Sequence, residues 1–143
     1  MSFQPVTPAP VLVFSHSATY VREPMVEIEV AATDSSGILL GTARRASVMV
    51  DSGADYTILD ERLAPYLGVD LAQCGSIETI AFGGEKLPGR WRYLKIGICG
   101  QWIDAFTVFQ QTPQPQLLGR DGIFDRLAIT FLQRDRRLLA AAA

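Results

Sequence analysis

Apolar residues in this chain come in short runs broken by glycine, proline or small polar clusters, and that punctuation restricts it to strands rather than long helices. The clearest run lies in Pro24 to Ala31, where Val26, Ile28 and Val30 alternate with Glu27 and Glu29. A period of two is the mark of a half-buried strand. Thr33-Asp34-Ser35-Ser36-Gly37 then has the composition of a turn. Ser47-Val48-Met49-Val50 is nearly all apolar and is expected to be a strand buried on both faces, running straight into Asp51-Ser52-Gly53-Ala54. Val11-Leu12-Val13-Phe14 and Thr57-Ile58-Leu59 are further strand candidates. Asp60 is placed to cap a helix that ends at Gly68 and is kept short by Pro65. Ser76 to Phe82 and Arg90 to Ile98 predict two strands around Gly83-Gly84, and Cys99-Gly100-Gln101 predicts a tight turn into Trp102 to Phe109. Thr112-Pro113-Gln114-Pro115-Gln116 reads as a loop, and Asp121 to Leu127 as a short amphipathic helix. Ile129 to Leu132 and Arg137 to Leu139 predict a closing strand-turn-strand, and Ala140 to Ala143 a frayed tail. Many short strands with two short helices make a mostly-β barrel or sandwich.

With 143 residues the chain fits one domain, large enough to fold without a disulfide or metal staple. A 48% apolar and 20% charged composition belongs to a globular chain. The net charge of −2 gives no electrostatic excess for nucleic acid or an anionic membrane, and no apolar run approaches the ~20 residues of a membrane span. Met1 to Pro10 lacks a positive leader and carries three prolines, so no signal peptide is expected and the cytoplasm is the expected location. Cys74 and Cys99 could form one disulfide but do not make a secreted scaffold.

Several chemistries drop out. One histidine, His16, cannot build a three-histidine zinc site, and the two cysteines lack C-x-x-C spacing, so neither metal nor cofactor is expected. A nucleophile–histidine pair would have to use His16 in its Ser/Thr-flanked segment. Gly83-Gly84-Glu85-Lys86 lacks the spacing of a phosphate loop. Carboxylates are left, and Asp51 stands out because it directly follows an apolar strand, whereas Asp34-Ser35-Ser36-Gly37 has almost the same letters between polar residues.

Val48-Met49-Val50-Asp51-Ser52-Gly53-Ala54-Asp55-Tyr56-Thr57-Ile58-Leu59 resembles the active-site segment of the retropepsins, the aspartic proteases of retroviruses and their cellular and bacterial relatives. The likeness continues in order. Arg22 to Ile28 is similar to the preceding strand, Gly83-Gly84 to the flap tip, Ile98-Cys99-Gly100 and Thr107-Val108 to later strands, and Thr112-Pro113 to the loop after them. Leu117-Leu118-Gly119-Arg120-Asp121 is similar to the apolar-apolar-Gly-Arg-Asn/Asp motif before the family's helix, so the resemblance covers about Arg22 to Leu127.

That resemblance implies a closed, mostly-β acid-protease barrel with one or two short helices and a hairpin flap. It places the protease domain at residues 22–139, after a lead-in (1–21) with a possible strand and before a disordered tail (140–143). Such chemistry needs two carboxylates, one activating water and one, protonated, polarising the scissile carbonyl; held about 3 Å apart they share a proton. Only one Asp-Ser-Gly here follows an apolar strand, so a C2 homodimer pairing Asp51 with its symmetry mate is expected, acting on a polypeptide substrate. The resemblance implies that the Ser52 hydroxyl and Gly53 support the catalytic loop. Gly53, Ala54 and Asp55 would contact substrate backbone together with flap residues Ala81, Phe82, Gly83 and Gly84. Asp55 would pair with Arg120. A long Thr33 to Ser47 stretch and a C-terminal strand-turn-strand depart from the compact viral pattern. The alternative is a weak or inactive domain of this type that binds peptides or dimerises without turnover, and a plain β-barrel interaction module with Asp51 in a solvated turn is a third reading.

Overall fold

The computed structural model describes residues 1–6, 13–81, 83–111 and 115–142. Its strands are β1 (His16–Thr19), β2 (Met25–Ala31), β3 (Arg44–Val50), β4 (Thr57–Asp60), β5 (Gly75–Ile80), β6 (Lys86–Ile98), β7 (Gln101–Gln110), β8 (Leu117–Leu118), β9 (Leu127–Leu132) and β10 (Arg137–Ala142). The chain is mostly β, and six strands close into a barrel in the order β2-β3-β8-β4-β7-β6. Closure comes from Glu29–Ala31 of β2 pairing with Lys95–Gly97 of β6. Two of the joints are parallel, β3 with β8 and β4 with β7, while β4 and β8 run antiparallel. β5 adds to the outer side of β6, and β1-β10-β9 form a separate three-stranded sheet.

The alternation in β2 is expressed as expected, with Ile28 and Val30 buried and Glu27 and Glu29 exposed. In β3 the expectation of burial on both faces is corrected: Ala46, Val48 and Val50 point to the core, but Ser47 is exposed and Met49 half-buried. Ser47 and Met49 alternate with the core residues and so point to the outward face of the barrel wall. Leu59, Leu94, Ile96, Phe109, Leu118 and Ile123 fill the interior with the β2 and β3 residues.

Neither expected helix forms. Asp60 does cap a turn, its carboxylate accepting the Arg62 N–H at 2.9 Å, but the turn is a 3-10 helix of three residues, Glu61–Leu63. Pro65 has no N–H to extend it, and the chain continues to Gly68 as turns. From Asp121 to Arg126 the chain is also turns, because Gly122 takes φ +84°, which interrupts any right-handed run.

Near the expected Val11–Phe14 strand, Val11 and Leu12 lie outside the described residues, Val13 and Phe14 are exposed, and the strand begins instead at His16. Ala140 to Ala142, expected to fray, form the end of β10; Ala140 pairs with both His16 and Ile129. Cys74 and Cys99 are free thiols, so the optional disulfide is not made.

Before β3 and after β4 the chain crosses itself. A Cβ on Gly41 would lie 2.4 Å from the Leu67 carbonyl carbon, and one on Gly68 would lie 2.7 Å from that of Leu40. The Thr42 N–H donates to the Tyr66 carbonyl at 3.0 Å across this contact.

Candidate active site

Asp51 sits where β3 leaves the barrel, and backbone bonds on both sides fix its approach. The Val50 N–H donates to the Pro24 carbonyl (2.9 Å), the Met49 N–H to that of Gln116 (2.8 Å) and the Asp51 N–H to that of Leu118 (3.0 Å). The chain then turns: the Ala54 N–H donates to the Asp51 carbonyl at 3.2 Å, and the Gly53 N–H to Asp51 Oδ1 at 2.8 Å. Asp51 is half-buried, while Ser52 and Gly53 are exposed. The result is a carboxylate aimed by its own turn, beside an exposed hydroxyl, at the rim of a packed barrel.

A second loop is laced onto the first. The Arg120 N–H donates to the Ala54 carbonyl and the Asp121 N–H to the Asp55 carbonyl, both at 2.9 Å. The Arg120 guanidinium also pairs with the Asp55 carboxylate. Those side chains are 55% and 67% exposed, so the ion pair itself contributes at most about 1 kcal/mol and the backbone bonds position the loops. Beneath them Thr57 is fully buried, and its hydroxyl accepts the Gly119 N–H at 3.2 Å. Gly119 passes so close to Tyr56 that a Cβ would lie 2.3 Å from its backbone carbonyl. Gln116 adds a tie, its Oε1 accepting the Asp60 N–H (2.8 Å) and its Nε2 donating to the Ser47 carbonyl (3.3 Å). Thr57 and Gly119 fall within the motifs quoted from the sequence, which give them no role, and Gln116 reads there only as loop; all three build the site. The one available signal was a polar Thr heading an otherwise apolar strand.

The similar segment Asp34-Ser35-Ser36-Gly37 behaves differently. Asp34 Oδ1 accepts from the Ser36 N–H (2.9 Å), the Ser36 hydroxyl (2.7 Å) and the Ile38 N–H (2.9 Å). Those bonds, that of the Ser36 hydroxyl foremost, hold the exposed Asp34 carboxyl below its ordinary value and leave it occupied within its own turn. Asp51 makes one such bond, from Gly53.

The structure thus brings together Asp51, Ser52, Gly53, Ala54, Asp55 and Arg120. Ala81, Gly83 and Gly84 belong to the tip of the β5–β6 hairpin, whose bonds are internal: the Ala81 N–H donates to the Glu85 carbonyl (2.7 Å) and the Gly84 N–H to that of Ala81 (3.0 Å). Phe82, Thr112 and Pro113 lie outside the described residues. β7 pairs with β6 only from Arg90 onward, so Lys86–Pro88 and their β5 partners project past the barrel by about 10 Å. Trp91, half-buried, stacks on Phe106 at 4.9 Å, and Phe106 packs against Tyr56 at 4.6 Å. A shallow cleft of about 490 Å³ opens beside the ion pair, lined by Asp55, Tyr56, Arg120, Asp121, Phe124 and Asp125.

Other chemistries gain nothing from the geometry. His16 is exposed on β1, with Nδ1 2.8 Å from the neighbouring Ser15 hydroxyl. Burial pushes both thiols up, away from the reactive thiolate. Among the described residues no three His, Cys, Asp or Glu side chains converge as metal ligands, and no helix is long and apolar enough to cross a membrane. No family model and no curated protein matches the chain.

Proposed function

We propose that this chain is one half of a homodimeric aspartic endopeptidase of the retropepsin type, in which Asp51 from each of two copies forms the acid–base pair. The supporting observation is the Asp51-Ser52-Gly53 turn: a carboxylate at the end of a core strand, oriented by the Gly53 N–H and cross-tied to the Leu117–Asp121 segment. One carboxylate would take a proton from water as the oxygen attacks the peptide carbonyl, and its protonated mate would donate to the developing oxyanion. The proton then passes to the leaving amine, and the dyad returns to sharing one. Ser52 would brace the two loops across the axis, and Gly53, Ala54 and Asp55 would hold substrate backbone. The β5–β6 hairpin, with Ala81, Gly83 and Gly84 at its tip, would serve as the flap and pair with an extended peptide, a role the proposal extends to Phe82. No metal or cofactor enters this chemistry.

The test is digestion of a peptide library between pH 3 and pH 7 with mass-spectrometric detection of new termini, using wild type and Asp51→Asn. Cleavage with a bell-shaped profile on the acidic side of neutral is expected from wild type. It should be inhibited by pepstatin-like compounds, and the variant should be folded and inert. Undiminished cleavage by Asp51→Asn would end the proposal. An inert wild type that still binds library peptides would select the non-catalytic alternative.

A further inference from the structure

Toward its tip the β5–β6 hairpin outruns its neighbour. The last ladder pair between β6 and β7 is Arg90 with Phe109, and Lys86–Gly89 continue with β5 alone. A two-stranded ribbon has little stability of its own in water. One link from the barrel still reaches it. Gln110, the residue of β7 directly after that last pair, is 4% exposed, and its Nε2 donates to the Thr79 hydroxyl on β5, two strands away. Among the described residues this is the only side-chain hydrogen bond between β7 and that overhang.

The strands leave a path for it. Opposed residues of an antiparallel pair share a face, and so do alternate residues of one strand. Trp91 opposes Val108 on β7 and Gly75 on β5, so Gln110, Gly89 and Thr79 lie on that same face. Gly89 stands between the other two and carries no side chain. A Cβ there would lie 3.2 Å from Gln110 Cγ and 2.6 Å from Val108 Cγ1, so a side chain would crowd the amide on its way to Thr79. At its other end Gln110 is held opposite Asp60 in the parallel β4–β7 ladder, and the Asp60 N–H is tied to Gln116. A chain of contacts therefore runs from the hairpin through Gln110 and Asp60 to the segment that carries Arg120.

The barrel itself does not ask for an amide here. Val108, two residues earlier, is fully buried on the same face without one, and burying an amide is costly unless it is bonded. The glutamine is explained by what it holds.

We infer that Gln110 is a positioning residue for the hairpin. Its amide crosses the bare strand at Gly89, pins Thr79 and sets how the hairpin sits over substrate, so that capture of substrate rather than the chemical step depends on it. The inference rests on the flap reading of this hairpin.

Opening the hairpin past Thr79 must break this bond. In hydrogen exchange of the full chain, Gln110→Leu should speed the amides of segments 76–80 and 86–90 about fivefold, the worth of one hydrogen bond, and leave those of β3 as in wild type. Thr79→Val should do the same, the double variant no more than either, and Thr79→Ser, which keeps the hydroxyl, should exchange as wild type. With a cleaved peptide, Gln110→Leu should raise KM about fivefold at unchanged kcat, the sign of lost binding that ground and transition states share. Unchanged hairpin exchange in Gln110→Leu, exchange raised equally across β3, an additive double variant, or a fall in kcat at constant KM would each overturn the inference. The two readings fail separately. Hairpin exchange that responds as expected in a chain that cleaves nothing keeps the anchor and removes the protease, whereas cleavage with unchanged exchange keeps the protease and removes the anchor.

Discussion

Thr57 and Thr107 sit opposite each other on parallel strands β4 and β7, both fully buried, and the same substitution in each should have unequal consequences. The Thr57 hydroxyl is the acceptor for the Gly119 N–H, which lies buried where the chain passes under the site. Valine keeps the shape and removes the acceptor, so Thr57→Val strands a buried N–H. The expected loss is about 2 kcal/mol, within the ~1–3 kcal/mol range for an unsatisfied buried donor. The Thr107 hydroxyl donates at 3.1 Å to the carbonyl of Ala105, two residues back on its own strand. A carbonyl has a second lone pair, and losing that local bond should cost under about 1 kcal/mol. At this chain length 2 kcal/mol corresponds to roughly 6–10 °C in Tm. Urea unfolding of both variants, compared at unchanged m-value, measures the difference. If Thr107→Val is destabilised as much as Thr57→Val, the hydroxyl–Gly119 contact does not hold the loop and the account of how Asp51 is positioned fails.

Gly119→Ala should be more damaging still, since its Cβ would collide with Tyr56 backbone rather than with a movable side chain; a loss of roughly 3 kcal/mol or failure to fold is expected, read by thermal melt. Asp60 is held below the ordinary carboxyl range chiefly by its hydrogen bonds with Arg62. A depressed native value means stability present at neutral pH and lost as pH falls below about 4. Asp60→Asn should therefore be less stable than wild type at pH 7, with the gap closing toward pH 3 in matched denaturant titrations. Burial raises both thiols, so Cys74 and Cys99 should react with iodoacetamide at pH 7.5 more slowly than a free peptide cysteine and equal it after unfolding.

β2 was legible in the sequence because one of its faces meets water and the other the core, so charge and apolarity alternate. β3 was misjudged for the opposite reason: Met49 is apolar yet only half-buried, since strand composition does not reveal whether a second layer covers the sheet. His16–Thr19 and Ala140–Ala142 carry little hydrophobic signal; the first becomes a strand by pairing with Arg137–Ala140, more than a hundred residues away, and the second by pairing with Leu127–Ile129 of β9. The two expected helices failed at Pro65 and Gly122, residues whose local effect outweighed a short amphipathic pattern. In the site, Asp51 could be picked out by its strand, but the Thr57–Gly119 and Asp60–Gln116 ties join residues far apart in sequence and need the fold to be seen.

The crossing at Gly41 and Gly68 makes β3, the Asp51 turn and β4 into a closed ring of chain, fastened where two backbones touch. Any amino-acid change from a glycine codon adds a side chain, and neither position has room for one. Mutational drift is therefore barred at two places remote from the reactive carboxylate, and a lesion at either should loosen the turn it never contacts.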